Sequence, residues 1–216
     1  MMLSEKQMIG MYENIADKFA GKAEELCTMD ARLGDGDLGI TMKKGFAVVP
    51  GIIAESTETD LGKKLMKAGM KMASAVPSTM GTLMSSGIMS GGKKLVGKNQ
   101  MGSEELTEYL LGFAEGIIKR GKCQEGDRTV LDSVGPAARS AQTLLHDHPG
   151  ATLVEVILTA YDAAITGMEA TRNMVPKFGK AAVHRDACAG NRDQGALAGA
   201  YMIEGMKEYI LREAHV

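Results

Sequence analysis

The sequence is poor in aromatic residues and in cysteine, and it contains no tryptophan. Aromatic residues make up 4% of its 216 residues, whereas methionine occurs 17 times. Methionine fills irregular gaps, so a core rich in methionine and alanine suits close helix packing. The three cysteines, Cys27, Cys123 and Cys188, lie far apart and form no CxxC pair. This argues against a disulfide framework or a zinc site and fits a reducing compartment.

Long apolar runs and a strong excess of one charge are absent as well. No stretch of about 18 apolar residues occurs, so we expect no membrane-spanning segment. The formal net charge is −2, from 25 Lys and Arg against 27 Asp and Glu, which gives no electrostatic footprint for nucleic acid or an anionic membrane. The acidic, amphipathic N-terminal segment does not resemble a signal peptide. We therefore expect a cytoplasmic protein that has neither nucleic acid nor a membrane as a partner.

Helical periodicity dominates the chain, and no convincing strand interrupts it. Apolar residues recur at helical spacing, and glycines and prolines mark the breaks between segments. The predicted helices lie at roughly 4–29, 38–49, 60–75, 78–96, 103–120, 129–147, 152–174 and 194–214. These eight segments with short connections predict an all-α fold, an up-down antiparallel bundle or barrel with at least about 60% helix. We expect residues 1–216 to form a single domain, with the irregular stretch from Pro176 to Gly190 as a candidate functional loop.

Three carboxylates crowd into the stretch MDARLGDGDLGITMKKGF, which covers residues 29–46. On a helix, Asp35 and Asp37 would point in different directions. In a turn loosened by glycine they can converge, and Asp30 approaches them from the end of the first helix. Converging carboxylates repel one another unless a cation lies between them. Oxygen-only ligands select Mg²⁺ or Ca²⁺, and few protein ligands with room for phosphate oxygens favour Mg²⁺.

A helix is predicted to begin near Leu38, directly after this turn. Its first backbone N–H groups and the positive end of its dipole suit an anion such as phosphate. The alternative is a solvated acidic turn that does no more than cap the helix. A Ca²⁺ loop of the EF-hand type fits less well, because Asp30 lies too far back and no glutamate follows at the twelfth position. The chain has no GxxxxGK[ST] motif, which excludes a P-loop.

Three segments, in order and correctly spaced, resemble the nucleotide-binding L subunit of dihydroxyacetone kinase. Residues 29–46 are similar to the signature DxxxxGDxDHGxNMxxGF, residues 121–132 to GKAxxGDKTMxD, and residues 179–196 to GRASYxGERxxGxxDPGA. The resemblance runs nearly end to end. It implies a barrel of eight antiparallel helices, which agrees with the independent helix count. It also implies ADP or ATP bound through Mg²⁺, with two ions expected, at one end of the barrel.

The resemblance also assigns roles to single positions of this sequence. The metal-binding carboxylates of the family match Asp30, Asp35 and Asp37. The nucleotide-contacting positions match Leu38, Gly39, Ile40, Thr41, Gly121, Val130, Asp193 and Gly195, of which the first four form the phosphate-holding helix start. In the family, a separate K subunit holds the sugar. The phosphate donor there is ATP, or bound ADP that a phosphotransferase-system protein rephosphorylates in place.

Three departures from the family pattern concern the phosphate contacts. Leu38 stands where the signature usually has histidine, which removes a polar contact. Residues 75–82, AVPSTMGT, replace a glycine-rich GGxSG loop, although Ser78 and Thr79 still offer hydroxyls at a helix start. Ala187 replaces the arginine of the GERxxG segment, which leaves Arg185 or Arg192 to reach the phosphates.

We therefore expect one part of a kinase, a nucleotide–Mg²⁺ subunit for phosphoryl transfer to a small ketose or polyol. A K-type subunit would hold that acceptor, because no residue of this chain is suited to hold or activate a sugar. Two alternatives stay open. One is a non-catalytic nucleotide-binding module that signals to a partner protein, and the other is a carrier of an apolar ligand inside a helical barrel.

Overall fold

The chain forms a ring of antiparallel α-helices, and a computed structural model describes its residues 1–183 and 188–215. Helix accounts for 74% of the chain. Among the described residues, extended pairing is limited to an isolated antiparallel bridge between Leu3 and Met101. The predicted all-α fold is confirmed. The helices are α1 (Glu5–Asp30), α2 (Leu38–Ala47), α3 (Val49–Glu55), α4 (Leu61–Ala75), α5 (Thr79–Lys94), α6 (Ser103–Gly121), α7 (Leu131–Asp147), α8 (Leu153–Ala170) and α9 (Gln194–Ala214).

Two predicted helix boundaries were wrong. The helix expected at 38–49 ends at Ala47, and the separate short helix α3 follows it. Pro50 lies in the first turn of α3, where a missing backbone N–H costs nothing because the helix has no acceptor for it there. The helix expected at 152–174 ends at Ala170 and continues as a 3₁₀ turn, Thr171–Asn173.

Each long helix packs against its neighbours in sequence, and α9 returns to pack on α1, α7 and α8. The largest fully buried side chains include Tyr12, Tyr109, Phe19, Phe46 and Phe113. The Tyr12 and Tyr109 hydroxyls are hydrogen-bonded to each other across 2.5 Å, and the Phe19 and Phe46 rings stack with their centroids 4.6 Å apart. Aromatic, methionine and aliphatic side chains thus occupy the interior, an arrangement that does not favour a ligand-carrying barrel.

Helix ends from distant parts of the sequence meet at one end of the ring, which we call the site end. The end of α1 contacts the start of α9 through Asp30 and Gln194, and the end of α8 contacts it through Thr171 and Asp193. The starts of α2, α5 and α7 lie at this same end, since α2 directly follows α1 and Gly195 in the first turn of α9 lies beside Met80 of α5 and Val130 before α7. Within the described residues, no helix has both the length and the apolar character needed to cross a bilayer.

Candidate metal and phosphate site

The site is built on the turn between α1 and α2. Asp30 is the last residue of α1 and is only 8% exposed. Its Oδ2 accepts hydrogen bonds from the backbone N–H groups of Gly36 at 2.9 Å and Asp37 at 3.1 Å. Gly36 has a φ of +75°, in the left-handed region that glycine adopts without steric cost. The glycine-containing turn therefore folds back over Asp30 and fixes the orientation of its carboxylate.

Three carboxylates converge above this turn. Asp30, Asp35 and Asp37 each offer one oxygen, and these oxygens all lie within 4.8 Å of one another. Asp37 occupies the N-cap position of α2, yet its side chain makes no capping hydrogen bond. Three carboxylate oxygens this close together suit a hard cation such as Mg²⁺. Asp35 and Asp37 are exposed, so their side of the cluster is open to a ligand.

A lysine from a distant segment reaches the cluster. Lys180 opens a 3₁₀ turn, Lys180–Val183, and its Nζ lies 2.8 Å from Asp35 Oδ2. This hydrogen bond, with the nearby charges of Asp30 and Asp37, raises the pKa of the Lys180 ammonium and lowers the pKa of the Asp35 carboxyl. Lys180 was not among the residues predicted from the sequence. The feature that could have indicated it is the arginine at the matching position of the family's GRASY segment, since both residues are basic.

The start of α2 presses closely against α1. A Cβ on Gly39 would lie 1.9 Å from the carbonyl oxygen of Ala23, so only glycine fits at this position. The side chain of Leu38 is buried in the core, which leaves its backbone N–H as the group able to meet an anion. Thr41 N–H donates to Asp37 O at 2.9 Å, whereas the N–H groups before it in the first turn have no intrahelical acceptor. Ile40 belongs to this turn, and its side chain is 49% exposed.

The start of α5 contributes Ser78 and Thr79. Ser78 caps this helix, because its Oγ accepts a hydrogen bond from Gly81 N–H at 3.0 Å. Thr79 follows at the first helical position and is exposed. The side chain of the next residue, Met80, lies beside Gly195 of α9, since a Cβ on Gly195 would be 3.9 Å from Met80 Cε. The starts of α5 and α9 are therefore neighbours at the site end.

The remaining predicted nucleotide positions join the same region. A Cβ on Gly195 would lie 3.3 Å from the Val130 backbone nitrogen, although the Val130 side chain itself is buried. Gly121 ends α6, and a Cβ there would lie 3.0 Å from Cδ2 of Leu83 in α5. The structure thus gathers Gly121, Val130 and Gly195 around the first turns of α5.

Asp193 and Gln194 connect this region to the carboxylates. Asp193 Oδ2 caps α9 by accepting a hydrogen bond from Ala196 N–H at 2.8 Å. Burial raises the pKa of the Asp193 carboxyl to about 6, although the Ala196 N–H and the Arg128 guanidinium act against this shift. Gln194 Nε2 donates to Asp30 Oδ1 at 3.3 Å. Gln194 was missed because the distance between the two residues along the chain hides their contact.

Of the two arginines predicted to reach the phosphates, the structure describes only Arg192. Arg192 Nη1 lies 3.5 Å from Glu169 Oε1 and lines a groove of about 600 Å³ beside the second half of α1. This groove also contains Lys22 and Arg32 and lies next to the carboxylate turn. Arg185, like Ala187, lies outside the described residues, so its role stays a prediction.

The chain is similar to known proteins over most of its length. The family model described as the DAK2 domain matches residues 32–208. The PEP-dependent dihydroxyacetone kinase, ADP-binding subunit DhaL, of Escherichia coli (strain K12) is 26% identical over 204 residues, which are 94% of this chain and 96% of that protein. The Triokinase/FMN cyclase of Mus musculus is 27% identical over 96% of this chain, but over only 36% of its own length.

A solved structure supports the same relationship. The dihydroxyacetone kinase from C. freundii, in complex with AMP-PNP and Mg²⁺, superposes with a TM-score of 0.68 at 25% sequence identity. The match covers 93% of this chain and 33% of that one. The chain therefore spans nearly the whole of the bacterial subunit and about a third of the longer relatives.

Proposed function

The chain belongs to the DAK2-domain family, and on this premise we propose that it is the nucleotide-binding subunit of a dihydroxyacetone-kinase-like enzyme. It binds ADP or ATP with Mg²⁺, for which we propose two ions, and takes part in phosphoryl transfer to a small ketose or polyol. The ADP-binding subunit DhaL and the kinase complex that holds AMP-PNP and Mg²⁺ support this assignment.

The observation that carries the proposal is the convergence of Asp30, Asp35 and Asp37 on one point. Three carboxylates that close together repel one another, and a divalent cation relieves this repulsion. The donor set fits the proposed Mg²⁺, because it consists of oxygens alone and leaves one side open to phosphate oxygens. Bound Mg²⁺ would neutralise negative charge on the phosphates. Phosphoryl transfer depends mainly on such charge neutralisation and on positioning.

The residues around the carboxylates orient the site and bind the phosphates. The hydrogen bonds from the Gly36 and Asp37 backbone and from Gln194 hold the Asp30 carboxylate in one orientation. The N–H groups in the first turn of α2 bind phosphate oxygens, which a helix start favours through its dipole. The Lys180 ammonium, already beside Asp35, adds a positive charge where the phosphates lie. The first turns of α5 and the Gly121–Val130 region receive the rest of the nucleotide.

In this proposal the acceptor is held by another protein, and two phosphate donors are considered. A separate K-type subunit holds the ketose or polyol, as the resemblance to the dihydroxyacetone kinase L subunit implies. The name of the E. coli relative includes phosphoenolpyruvate dependence, which supports a phosphotransferase-system protein as the donor. ATP is the other donor that the proposal includes.

Calorimetric titration with ADP tests the metal-dependent binding. We expect binding in the presence of Mg²⁺ and a large loss of affinity in EDTA, because the phosphates would then meet uncompensated carboxylates. Equal affinity in both conditions would contradict the proposed site. Phosphoryl transfer to dihydroxyacetone, measured with an added K-type subunit, then separates the kinase subunit from a regulatory module, which would bind Mg²⁺–ADP but support no turnover.

A further inference from the structure

A buried arginine holds the connection between α8 and α9. Arg128 is 3% exposed and has a φ of +61°. Its Nε donates to Thr171 O at 3.2 Å, and its Nη2 donates to Cys188 O at 3.2 Å and to Asn191 O at 3.0 Å. Thr171 begins the connection, whereas Cys188 and Asn191 lie near its end. One guanidinium therefore holds both stems of the connection.

The residue before Arg128 contacts the same connection. Asp127 O accepts a hydrogen bond from Lys177 N–H at 3.2 Å, and the Asp127 carboxylate lies 2.5 Å from Lys177 Nζ. The stems also hold each other, because Gly190 N–H donates to Arg172 O at 3.0 Å and Arg172 Nη1 donates to Gly190 O at 2.8 Å. The connection is thus fastened to the turn before α7 through both Asp127 and Arg128, each of which is 3% exposed.

A short series of contacts leads from Arg128 to the carboxylate cluster. Thr171, whose carbonyl accepts from Arg128, also accepts a hydrogen bond through its Oγ1 from Asp193 N–H at 2.9 Å. The next residue, Gln194, donates to Asp30. Lys180, which pairs with Asp35, lies between the two stems that Arg128 holds. The position of Arg128 therefore bears on the contact of Gln194 with Asp30 and on that of Lys180 with Asp35.

We infer that Arg128 is a positioning residue that sets the connection between α8 and α9 so that Gln194 and Lys180 face the carboxylates. The inference rests on the proposed function for the identity of the ligand, Mg²⁺–ADP. A buried charge is costly unless it is hydrogen-bonded, and here three backbone carbonyls, which Nε and Nη2 reach together, offset part of that cost. The third guanidinium nitrogen, Nη1, is buried and has no hydrogen-bond partner among the described residues. The family segment GDKTM, to which residues 126–130 are similar, has lysine at this position, and a lysine ammonium offers its donors from a single atom.

The test compares Arg128→Lys and Arg128→Met with wild type, and uses Arg212→Met as the matched control. Arg212 lies near the end of α9, far from the site end, and is exposed. Amide hydrogen exchange is followed in peptides from 171–183 and 188–195 without ligand. Mn²⁺ affinity is measured by electron paramagnetic resonance, and Mg²⁺–ADP affinity by calorimetry. Melting temperature controls for global stability.

Both Arg128 variants should lose protection in the connection but retain it in α4 and α6. Mg²⁺–ADP affinity should fall about tenfold to a hundredfold, the range typical when a residue that orients ligands is lost. Mn²⁺ affinity should also fall, but by less than Mg²⁺–ADP affinity, because Asp30 keeps its hydrogen bonds from Gly36 and Asp37 when Gln194 moves and the displacement of Lys180 acts mainly on the phosphates. Should Arg128→Met fail to fold, Arg128→Lys carries the comparison. Arg212→Met should match wild type in every measurement.

Three results would overturn the inference. The first is wild-type exchange in the connection of Arg128→Lys or Arg128→Met. The second is faster exchange with unchanged Mg²⁺–ADP affinity, and the third is an equal fall in Mn²⁺ and Mg²⁺–ADP affinity. The second and third results would each reduce Arg128 to a structural residue. Failure of the wild-type protein to bind Mg²⁺–ADP would instead refute the proposed function, and the exchange data would still decide whether Arg128 holds the connection.

Discussion

Gln194 donates a hydrogen bond from its side-chain amide to Asp30 Oδ1 across 3.3 Å, and so joins two residues that are 164 positions apart. The contact ties the start of α9 to the end of α1 at the carboxylate cluster. Asp30 is therefore held from two sides, by the turn that follows it and by a helix from the far end of the chain. Such second contacts fix the direction in which a carboxylate presents its oxygens to a metal.

Replacing Gln194 should weaken ligand binding without unfolding the protein. In Gln194→Ala, the Asp30 carboxylate keeps its hydrogen bonds to Gly36 and Asp37 but loses its third partner. We expect Mg²⁺–ADP affinity to fall by about tenfold, the lower end of the usual effect of such partners, with little change in melting temperature. Calorimetry and thermal unfolding check this. Gln142→Ala, at an exposed position of α7, is the control, and equal affinity of the two variants would contradict the prediction.

The contact of α2 with α1 predicts opposite effects for two glycine substitutions. In Gly39→Ala the new Cβ would lie 1.9 Å from a backbone oxygen of α1, so the start of α2 must move, at a cost of about 1–3 kcal/mol or more in the free energy of unfolding. In Gly21→Ala nothing lies within 4 Å of the new Cβ, and the gain in helix propensity should stabilise the protein by up to about 1 kcal/mol. Urea unfolding measures both.

The two variants also control for each other, since each adds the same methyl group to the α1–α2 region. Gly39→Ala should in addition reduce Mg²⁺–ADP affinity, because the shifted helix start carries the phosphate-binding N–H groups. If Gly39→Ala unfolded at the same urea concentration as Gly21→Ala, the two helices would not be in the close contact described.

The fold could be predicted from the sequence because its signals are local. The periodic apolar positions and the glycine and proline breaks specify α1, α4 to α7 and α9 within a few residues. The error at Pro50 has a physical reason, since proline ends a helix when it lies inside one but is tolerated in the first turn of the next. A pattern of breakers alone does not distinguish these two cases.

The candidate site could be predicted only in its local part. Asp30, Asp35 and Asp37 lie within one short turn, so their convergence follows from chain flexibility and charge. The contacts of Gln194, Lys180 and Arg128 depend on how the connection between α8 and α9 folds over that turn. Nothing in the spacing of these residues encodes that arrangement, because it results from the packing of α9 against α1.

The buried carboxyl of Asp193 predicts a pH dependence of stability with a definite sign. Its pKa is raised from 3.8 to about 6 in the folded state, so the folded protein binds this proton more tightly than the unfolded chain does. The free energy of unfolding that Asp193 contributes is therefore highest below about pH 4 and falls as the pH rises to about 6. The nearby Arg128 guanidinium and the Asp132 carboxyl oppose and reinforce this shift, respectively.

Asp193→Asn should remove this dependence and keep the cap, because asparagine caps helices about as well as aspartate. The variant should approach or exceed wild-type stability at pH 7, and its advantage over wild type should shrink between pH 6 and pH 4. The difference should not exceed about 3 kcal/mol. Urea unfolding across this range measures it, and carboxyls common to both proteins cancel in the comparison. A difference that does not vary with pH would show that Asp193 keeps its ordinary pKa.

The strongest test of the metal site is Asp35→Asn. The change keeps the shape of the side chain but removes one ligand charge, and a neutral amide is a weaker ligand for a hard cation. Without ligand, the melting temperature should change little. The lost pair with Lys180 is exposed and screened by solvent, so its loss should cost little stability. The repulsion with Asp30 and Asp37 is relieved at the same time.

With Mg²⁺–ADP the variant should behave differently from wild type. A ligand that prefers the folded state raises the melting temperature, and the rise grows with the logarithm of the ligand concentration relative to Kd. We expect this rise to be largely lost in Asp35→Asn. Asp17→Asn, the same chemical change at an exposed position of α1, should keep it. Lys180→Met tests the loss of the Lys180–Asp35 ion pair without the loss of a metal ligand, because it leaves all three carboxylates in place. It should retain more of the ligand-induced rise in melting temperature than Asp35→Asn. An undiminished rise in Asp35→Asn would mean that the metal binds elsewhere and that the carboxylate cluster serves another purpose.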